Sequence, residues 1–342
     1  MKRMTSYDRI MIALDGGKPD RVPVIPFSRD WGIRYSGFTF AEILDNPSKY
    51  VHAQYRTLRE LGADIIWDLM GVHAESEAMG SVLKIQENTP PSVEQFAIND
   101  LVKDLDKLRL PNPHKDGRLP QFLDVVRQMK ALVRNEVPVV AYVQGPFRHA
   151  AMLRGPDNLL KEMITAGEQC LRLLEIATDS LIIYGAALVD AGADIIMIAE
   201  PFMPKDMMSK KMAEEVEPYF RKLTETLMRT GAKVFLHLCG DFGDRMDVIK
   251  KIGMHGVSLD EKNDLQKARE ILGPGVCIIG NVNPTGTLLS GTTDMVAAES
   301  AKAIEKAGRE GAFILASGCL IPNNAPRENL KALVVAAERS RY

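Results

Sequence analysis

Short apolar runs alternate with stretches of 3.6-residue periodicity along most of this 342-residue chain. Eight runs read as strands, at residues 22–27, 65–67, 139–143, 195–198, 233–237, 256–259, 276–279 and 312–316. Amphipathic spacing predicts helices over 4–15, 40–61 with a break at Asn46-Pro47, 121–134, 156–178, 180–191, 206–230, 242–252, 263–272, 292–308 and 326–340. Residues 28–39 are polar and aromatic and read as a loop over the first strand's exit. From Met70 to about Pro120 the pattern is mixed, with a hairpin strand at 81–85 and loop punctuation at Pro90-Pro91 and Pro111-Asn112-Pro113.

Three strands are introduced by a repeated element: Gly62-Ala63-Asp64, Gly192-Ala193-Asp194 and Gly231-Ala232-Lys233. A helix that ends in glycine and feeds a parallel strand has this form. Strand and helix in regular alternation predict a single-domain (β/α)8 barrel over residues 1–342, with an N-terminal extension and an excursion, about 70–120, over its mouth. An open doubly wound sheet is the alternative, but no G-x-G-x-x-G follows the first strand.

A barrel carries its chemistry where strands end, so the polar residues at those exits are the candidates. They are Arg29 and Asp30, Asp68, Gln144, Glu200, His237 and Cys239, Asp260 and Glu261, Asn281 and Asn283, and Cys319. Within that set, Val234-Phe235-Leu236-His237-Leu238-Cys239-Gly240 and Phe313-Ile314-Leu315-Ala316-Ser317-Gly318-Cys319 are two apolar runs that open onto a cysteine. Parallel strands of one closed sheet put His237, Cys239 and Cys319 on one rim. One imidazole and two thiolates make a three-ligand zinc site with its fourth position open, the pattern of a catalytic zinc. The competing reading is three buried core residues without a metal. Cys170, inside a helix, and Cys277, inside a strand, read as core. His149 reads as a residue of the mouth. Glu200 reads as a fourth ligand, a partner of the ligands or a substrate contact, and Gly280-Asn281-Val282-Asn283 as a cradle for a polar substrate group.

Composition narrows the picture. Charges nearly balance at −2, which argues against a nucleic-acid or membrane-surface protein. Four cysteines without a short-spaced framework, no signal-like leader and no apolar run of membrane-spanning length point to a reducing cytoplasm. Sulfur ligands make an open zinc a weak activator of water but a good binder of an incoming thiol, whose pKa it lowers. A thiolate so held is a nucleophile toward an electrophilic methyl group.

Several segments then resemble a known family. Ile12-Ala13-Leu14-Asp15-Gly16-Gly17-Lys18-Pro19-Asp20-Arg21-Val22-Pro23-Val24 is similar to the start of the uroporphyrinogen decarboxylase superfamily. Gly145-Pro146-Phe147, Leu153-Arg154-Gly155, Gly280-Asn281-Val282-Asn283-Pro284, Gly318-Cys319-Leu320-Ile321-Pro322 and Pro326-Arg327-Glu328-Asn329-Leu330 resemble its later loops. The H-x-C and later cysteine resemble its zinc branch, the methylcobalamin:coenzyme M methyltransferases and related corrinoid methyltransferases. That resemblance implies zinc on His237, Cys239 and Cys319, and methyl transfer from a methylated corrinoid to a thiol. The decarboxylases carry a Met-Arg-Gln-Ala-Gly-Arg motif where this chain has Phe27-Ser28-Arg29-Asp30-Trp31-Gly32, and a late histidine where it has Gly318-Cys319. No D-x-H-x-x-G corrinoid motif is present, so a separate corrinoid protein docking at the barrel mouth is expected to supply the cobalamin. A sulfonate-bearing acceptor needs cations near the mouth, and Arg29, Arg148 and Arg154 are the candidates. Three alternatives stay open: transfer from a methoxyaromatic, methylamine or similar donor to a corrinoid protein, a decarboxylase-like activity, and a non-catalytic barrel.

Overall fold

The computed structural model describes residues 4–68 and 71–341. Its strands are β1 (Val24–Ile25), β2 (Ile66–Asp68), β3 (Val82–Lys84), β4 (Ser92–Gln95), β5 (Val139–Gln144), β6 (Ile195–Glu200), β7 (Lys233–Leu238), β8 (Gly256–Leu259), β9 (Cys277–Val282) and β10 (Phe313–Ser317). Eight of them form one curled parallel sheet in the order β1-β10-β9-β8-β7-β6-β5-β2, and β3 and β4 make a separate antiparallel hairpin. This is the eight-stranded α/β barrel that the alternation predicts.

The barrel closes where β1 meets the start of β2, and one aspartate makes the seam. Asp64 N–H donates to Val24 O at 3.0 Å, and Asp64 Oδ2 accepts from Val24 N–H at 2.9 Å. The buried carboxylate also takes two bonds from the Arg21 guanidinium and one from Ser6 Oγ. Asp194 repeats the device between β5 and β6: its N–H donates to Val139 O, and its Oδ2 accepts from Val139 N–H, both at 2.9 Å. The recurring Gly-Ala-Asp element is thus a strand-pairing device, in which a side chain stands in for a ladder carbonyl.

Strand alternation divides the apolar residues into two cores. Val140 and Tyr142 of β5, Ile195, Met197 and Ala199 of β6, Phe235 of β7, Cys277 and Ile279 of β9, and Ile314 and Ala316 of β10 pack inside the barrel. Val139, Ala141, Ile196, Ile198, Val234 and Leu236 face the surrounding helices. Ile10, Ala13 and Leu14 of the first helix, Ser6–Leu14, join the inner core and plug it from the end opposite the C-terminal ends of the strands.

The sequence reading differs from the structure in a few places, each for a local reason. β1 is two residues long because Pro23 and Pro26 flank it without N–H groups for a ladder. Residues 28–39 are not all loop: Arg29–Tyr35 is a helix whose Trp31 and Tyr35 stack at 4.6 Å, one turn apart. A helix also runs over Pro146–Arg154, with proline at its first position, where a missing N–H is harmless. The break expected near residue 179 lies at Ala166 instead. Gly167–Asp190 is continuous, and Ser180 Oγ is accommodated within it by bonding back to Ala177 O. The hairpin reading at 81–85 holds, with β3 paired to β4; Met70, where the excursion begins, lies outside the described residues.

Candidate metal centre

His237 and Cys239 leave the end of β7, and Cys319 follows β10. The inward parity that carries Phe235 into the core also turns His237 toward the barrel axis. Cys239 Sγ lies 3.2 Å from His237 Nε2 and 3.7 Å from Cys319 Sγ, and Cys319 Sγ lies 3.7 Å from His237 Nε2. Ligands of a tetrahedral zinc stand about 3.8 Å apart for two sulfurs, and about 3.6 Å for sulfur and nitrogen. The triangle therefore has the size that a zinc ion fits, and its three atoms belong to the ligand types that zinc takes. Among the described residues, no other group of three or more His, Cys, Asp or Glu side chains could hold a metal ion.

The imidazole is oriented from behind. His237 Nδ1 lies 3.0 Å from Ser258 Oγ, a fully buried hydroxyl on the neighbouring strand β8. A proton on Nδ1 shared with that hydroxyl leaves the Nε2 lone pair facing the two sulfurs. Phe27 stacks on the other side of the ring, with centroids 4.8 Å apart. Gly240, at φ +102°, turns the chain just after Cys239, and a Cβ there would lie 2.9 Å from Pro204. The turn is held by Gly240 N–H donating to Asp260 Oδ2 and by Asn263 Nδ2 donating to Gly240 O.

The thiols divide into two classes. Burial pushes Cys170 up to about 12 and Cys277 higher still, so both stay protonated core residues. Cys319 is drawn well below the ordinary thiol value, first by the hydrogen bond from Cys239 and then by His237. Cys239 is driven upward, first by its hydrogen bond to Cys319 and then by burial. One thiolate is favoured in this pair without a cation, and a divalent ion is the natural complement to two.

His237, Cys239 and Cys319 line a cavity of about 300 Å3 at the barrel mouth, together with Arg29, Arg148, His73 and Tyr142. Pro90 and Pro91 of the 70–120 excursion form part of its wall, so the excursion does cover the mouth. Of the expected site residues, the structure brings together His237, Cys239, Cys319, Arg29 and Arg148. The others are set elsewhere. Glu200 has outward parity on β6 and accepts from Arg148 N–H and Phe202 N–H, each at 2.9 Å. It thereby caps the helix Pro146–Arg154, behind a wall formed by its neighbours Ala199 and Pro201. Gln144 binds Glu75 through both its backbone and side-chain N–H groups. Asn281 donates to Asp260 O and Asn263 O, buttressing the turn after Cys239. Asn283 caps the turn Pro284–Leu289. His149 is not a mouth residue; it is fully buried between Ser76 Oγ and Met79 Sδ, and His73 lines the cavity instead.

The uroporphyrinogen decarboxylase (URO-D) family pattern matches residues 5–340. The chain belongs to the uroporphyrinogen decarboxylase family. Relatives within it carry two kinds of name. The methylcobamide:CoM methyltransferase MtaA of Methanosarcina barkeri is 28% identical over 348 residues, covering 99% of both chains. A uroporphyrinogen decarboxylase of an Anaeromyxobacter species is 32% identical over 238 residues, 68% of this chain and 67% of its own. A solved methyltransferase from Methanosarcina mazei superposes with a TM-score of 0.90 at 29% identity, covering 98% of each chain. The URO-D fold thus serves more than one activity, and the residues at the rim must decide between them.

Proposed function

We propose that this URO-D-family protein is a zinc-dependent methyltransferase. It moves a methyl group from a methylated corrinoid, carried by a separate corrinoid protein at the barrel mouth, to a thiol such as coenzyme M. The observation that carries this reading is the convergence of one imidazole and two thiols, at tetrahedral spacing, on the wall of a single cavity. The methyltransferase names of relatives that align over the whole chain support it.

His237, Cys239 and Cys319 would hold the zinc. When bound, the ion lowers the pKa of an incoming thiol and so supplies a thiolate at neutral pH. Ser258 fixes the imidazole, and the turn at Gly240 fixes Cys239. Phe27, Met197, Ala199 and Leu320 line the cavity and keep water from the sulfur, which strengthens its nucleophilicity. Methyl transfer forms a sulfur–carbon bond and breaks the cobalt–carbon bond; the thiol gives up its proton and the electron pair leaves with cobalt. A cavity of about 300 Å3 admits a small thiol but not a corrin ring, so the methyl donor approaches from the opening. No helix among the described residues is long and apolar enough to cross a membrane.

Elemental analysis of the purified protein beside its Cys319→Ala variant tests the centre. The expected result is about one zinc per wild-type chain, lost in the variant, with thiol-dependent demethylation of free methylcobalamin by the wild type alone. A folded, reduced wild-type protein without zinc would overturn the reading.

A further inference from the structure

The strand-pairing device of Asp64 and Asp194 occurs a third time, and there the side chain that makes it can titrate near neutral pH. His255 immediately precedes β8, as Asp194 precedes β6. Its N–H donates to Val234 O at 2.9 Å, and its Nδ1 accepts from Val234 N–H at 3.1 Å. Asp194 exchanges the same two bonds with Val139, with a carboxylate oxygen in place of the imidazole nitrogen. The sequence conceals the match, because Met254-His255-Gly256 lacks the Gly-Ala-Asp signature.

The two kinds of acceptor differ in one respect. A carboxylate stays ionised down to about pH 4, whereas an imidazole nitrogen accepts only while the ring is neutral. A second proton on the His255 ring goes to Nδ1, sets two N–H groups against each other and ends the bond to Val234. Among the described residues, the charged groups facing the ring come from two elements: Lys233 on β7 and Asp15 at the end of the first helix, which pair with each other. Cys277 on β9, whose N–H donates to His255 O, is a buried, protonated thiol and adds no charge. Burial first, and the Lys233 charge second, hold His255 below the ordinary histidine value, against the opposing pull of Asp15. The bond is therefore complete above that ordinary value and is lost as pH falls through the lower one.

The junction matters because of what lies further along it. β7 and β8 pair in the register Phe235 with Gly256, Leu236 with Val257, and His237 with Ser258. Val234 and His255 stand at the head of that ladder, and the contact of His237 Nδ1 with Ser258 Oγ stands near its end. Through Cys277 N–H and Val234, His255 ties the entries of β7, β8 and β9 together. We propose that His255 is a positioning residue for the metal centre: its neutral ring locks the entry of β7 to β8 and so holds His237 against Ser258, and protonation of the ring releases that lock. Its consequence for zinc rests on the metal-centre reading; the lock itself does not.

Two variants beside wild type test this. His255→Ala removes the acceptor, and His255→Asn supplies the side-chain oxygen of the other two junctions in a form that does not titrate. The His255 ring is titrated by NMR. Amide exchange of Val234, the ring-nitrogen shifts of His237 in the metal-free protein, and zinc affinity by chelator competition are then read above and below that titration. Comparing the three proteins at one pH cancels the intrinsic pH dependence of exchange and of metal binding. With the ring neutral, wild type and His255→Asn are expected to agree, and His255→Ala to exchange the Val234 amide about three- to ten-fold faster and to bind zinc weaker by a similar factor. With the ring protonated, wild type is expected to fall to the level of His255→Ala, while His255→Asn keeps its lead. A protonated wild type that still matches His255→Asn overturns the proposal. So does a ring that takes up no proton before the protein unfolds, or a Val234 amide that follows the ring while His237 and zinc affinity do not. Val234 and His237 that both follow the ring, in a folded protein that binds no zinc in any of the three forms, keep the lock and refute the metal centre.

Discussion

Ser258 is the residue on which the geometry of His237 depends, and nothing in its sequence neighbourhood singles it out. It sits fully buried in the middle of β8, opposite His237 in the ladder. Removing the hydroxyl frees the ring to rotate and to change tautomer. Ser258→Ala is expected to weaken zinc binding about ten- to a hundred-fold, read by competition with a chromophoric chelator, with the fold retained. Unchanged affinity would show that Phe27 and the strand alone orient the ring. The convergence of His237, Cys239 and Cys319 was legible, because residue type and strand-end placement coincide there. The cavity-facing Tyr142 was not, since an aromatic in an apolar run reads as core. Alternation could have found it. Val140 and Tyr142 share the inward face of β5, just as Phe235 and His237 share that of β7. The same rule separates Glu200, which follows inward-facing Ala199 and so points away from the axis.

At the scale of elements, the helix Pro146–Arg154 is one that the hydrophobic pattern did not show. Gly145 offers no capping side chain, and the cap comes from Glu200 on β6. Contact is close: a Cβ at Gly145 would lie 2.5 Å from Glu200 Oε2. A long-range cap of this kind leaves no local signature, whereas Thr5, Thr39, Asn46, Ser209 and Asp264 cap their own helices and helped make them readable. The cap carries a penalty. Burial raises the Glu200 carboxyl from 4.5 to about 7, against the opposing pull of the Arg148 and Phe202 amides. Between those values the folded protein holds a proton that the unfolded chain has released. Stability therefore falls as pH rises through this window and levels off above about 7, a loss on the order of 3 kcal/mol. Glu200→Gln is expected to remove about one proton's worth of that slope, seen in urea midpoints at pH 5, 6, 7 and 8. Parallel pH profiles for the two proteins would show that the carboxyl is ionised throughout.

For the whole molecule, the decisive element is the seam. Both ends of the sheet are joined through Asp64, which satisfies Val24 N–H, Arg21 and Ser6 at once. Asp64→Ala strands the Arg21 charge and is expected to cost about 3–5 kcal/mol in urea unfolding. Asp194→Ala removes the equivalent device between interior strands. Its cation, Lys130, is 26% exposed and can turn to water, so the expected loss is smaller, about 1–3 kcal/mol. Equal losses would mean that the seam is no more critical than any other strand junction. The barrel itself was legible because the Gly-Ala-Asp element and the strand–helix alternation recur; how its ends meet was not, because closure joins residues far apart in sequence. That closure also orders events in time. The first helix, Ser6–Leu14, and β1 are synthesised before β9 and β10, yet Ile10 and Leu14 pack in one core with Cys277 and Ile314, and Val24 pairs with Leu315. Until those strands emerge, these segments have no docking site. A chain that stops before β10 leaves them without one permanently, so Ser6–Leu14 and β1 become structure only when β9 and β10 are made.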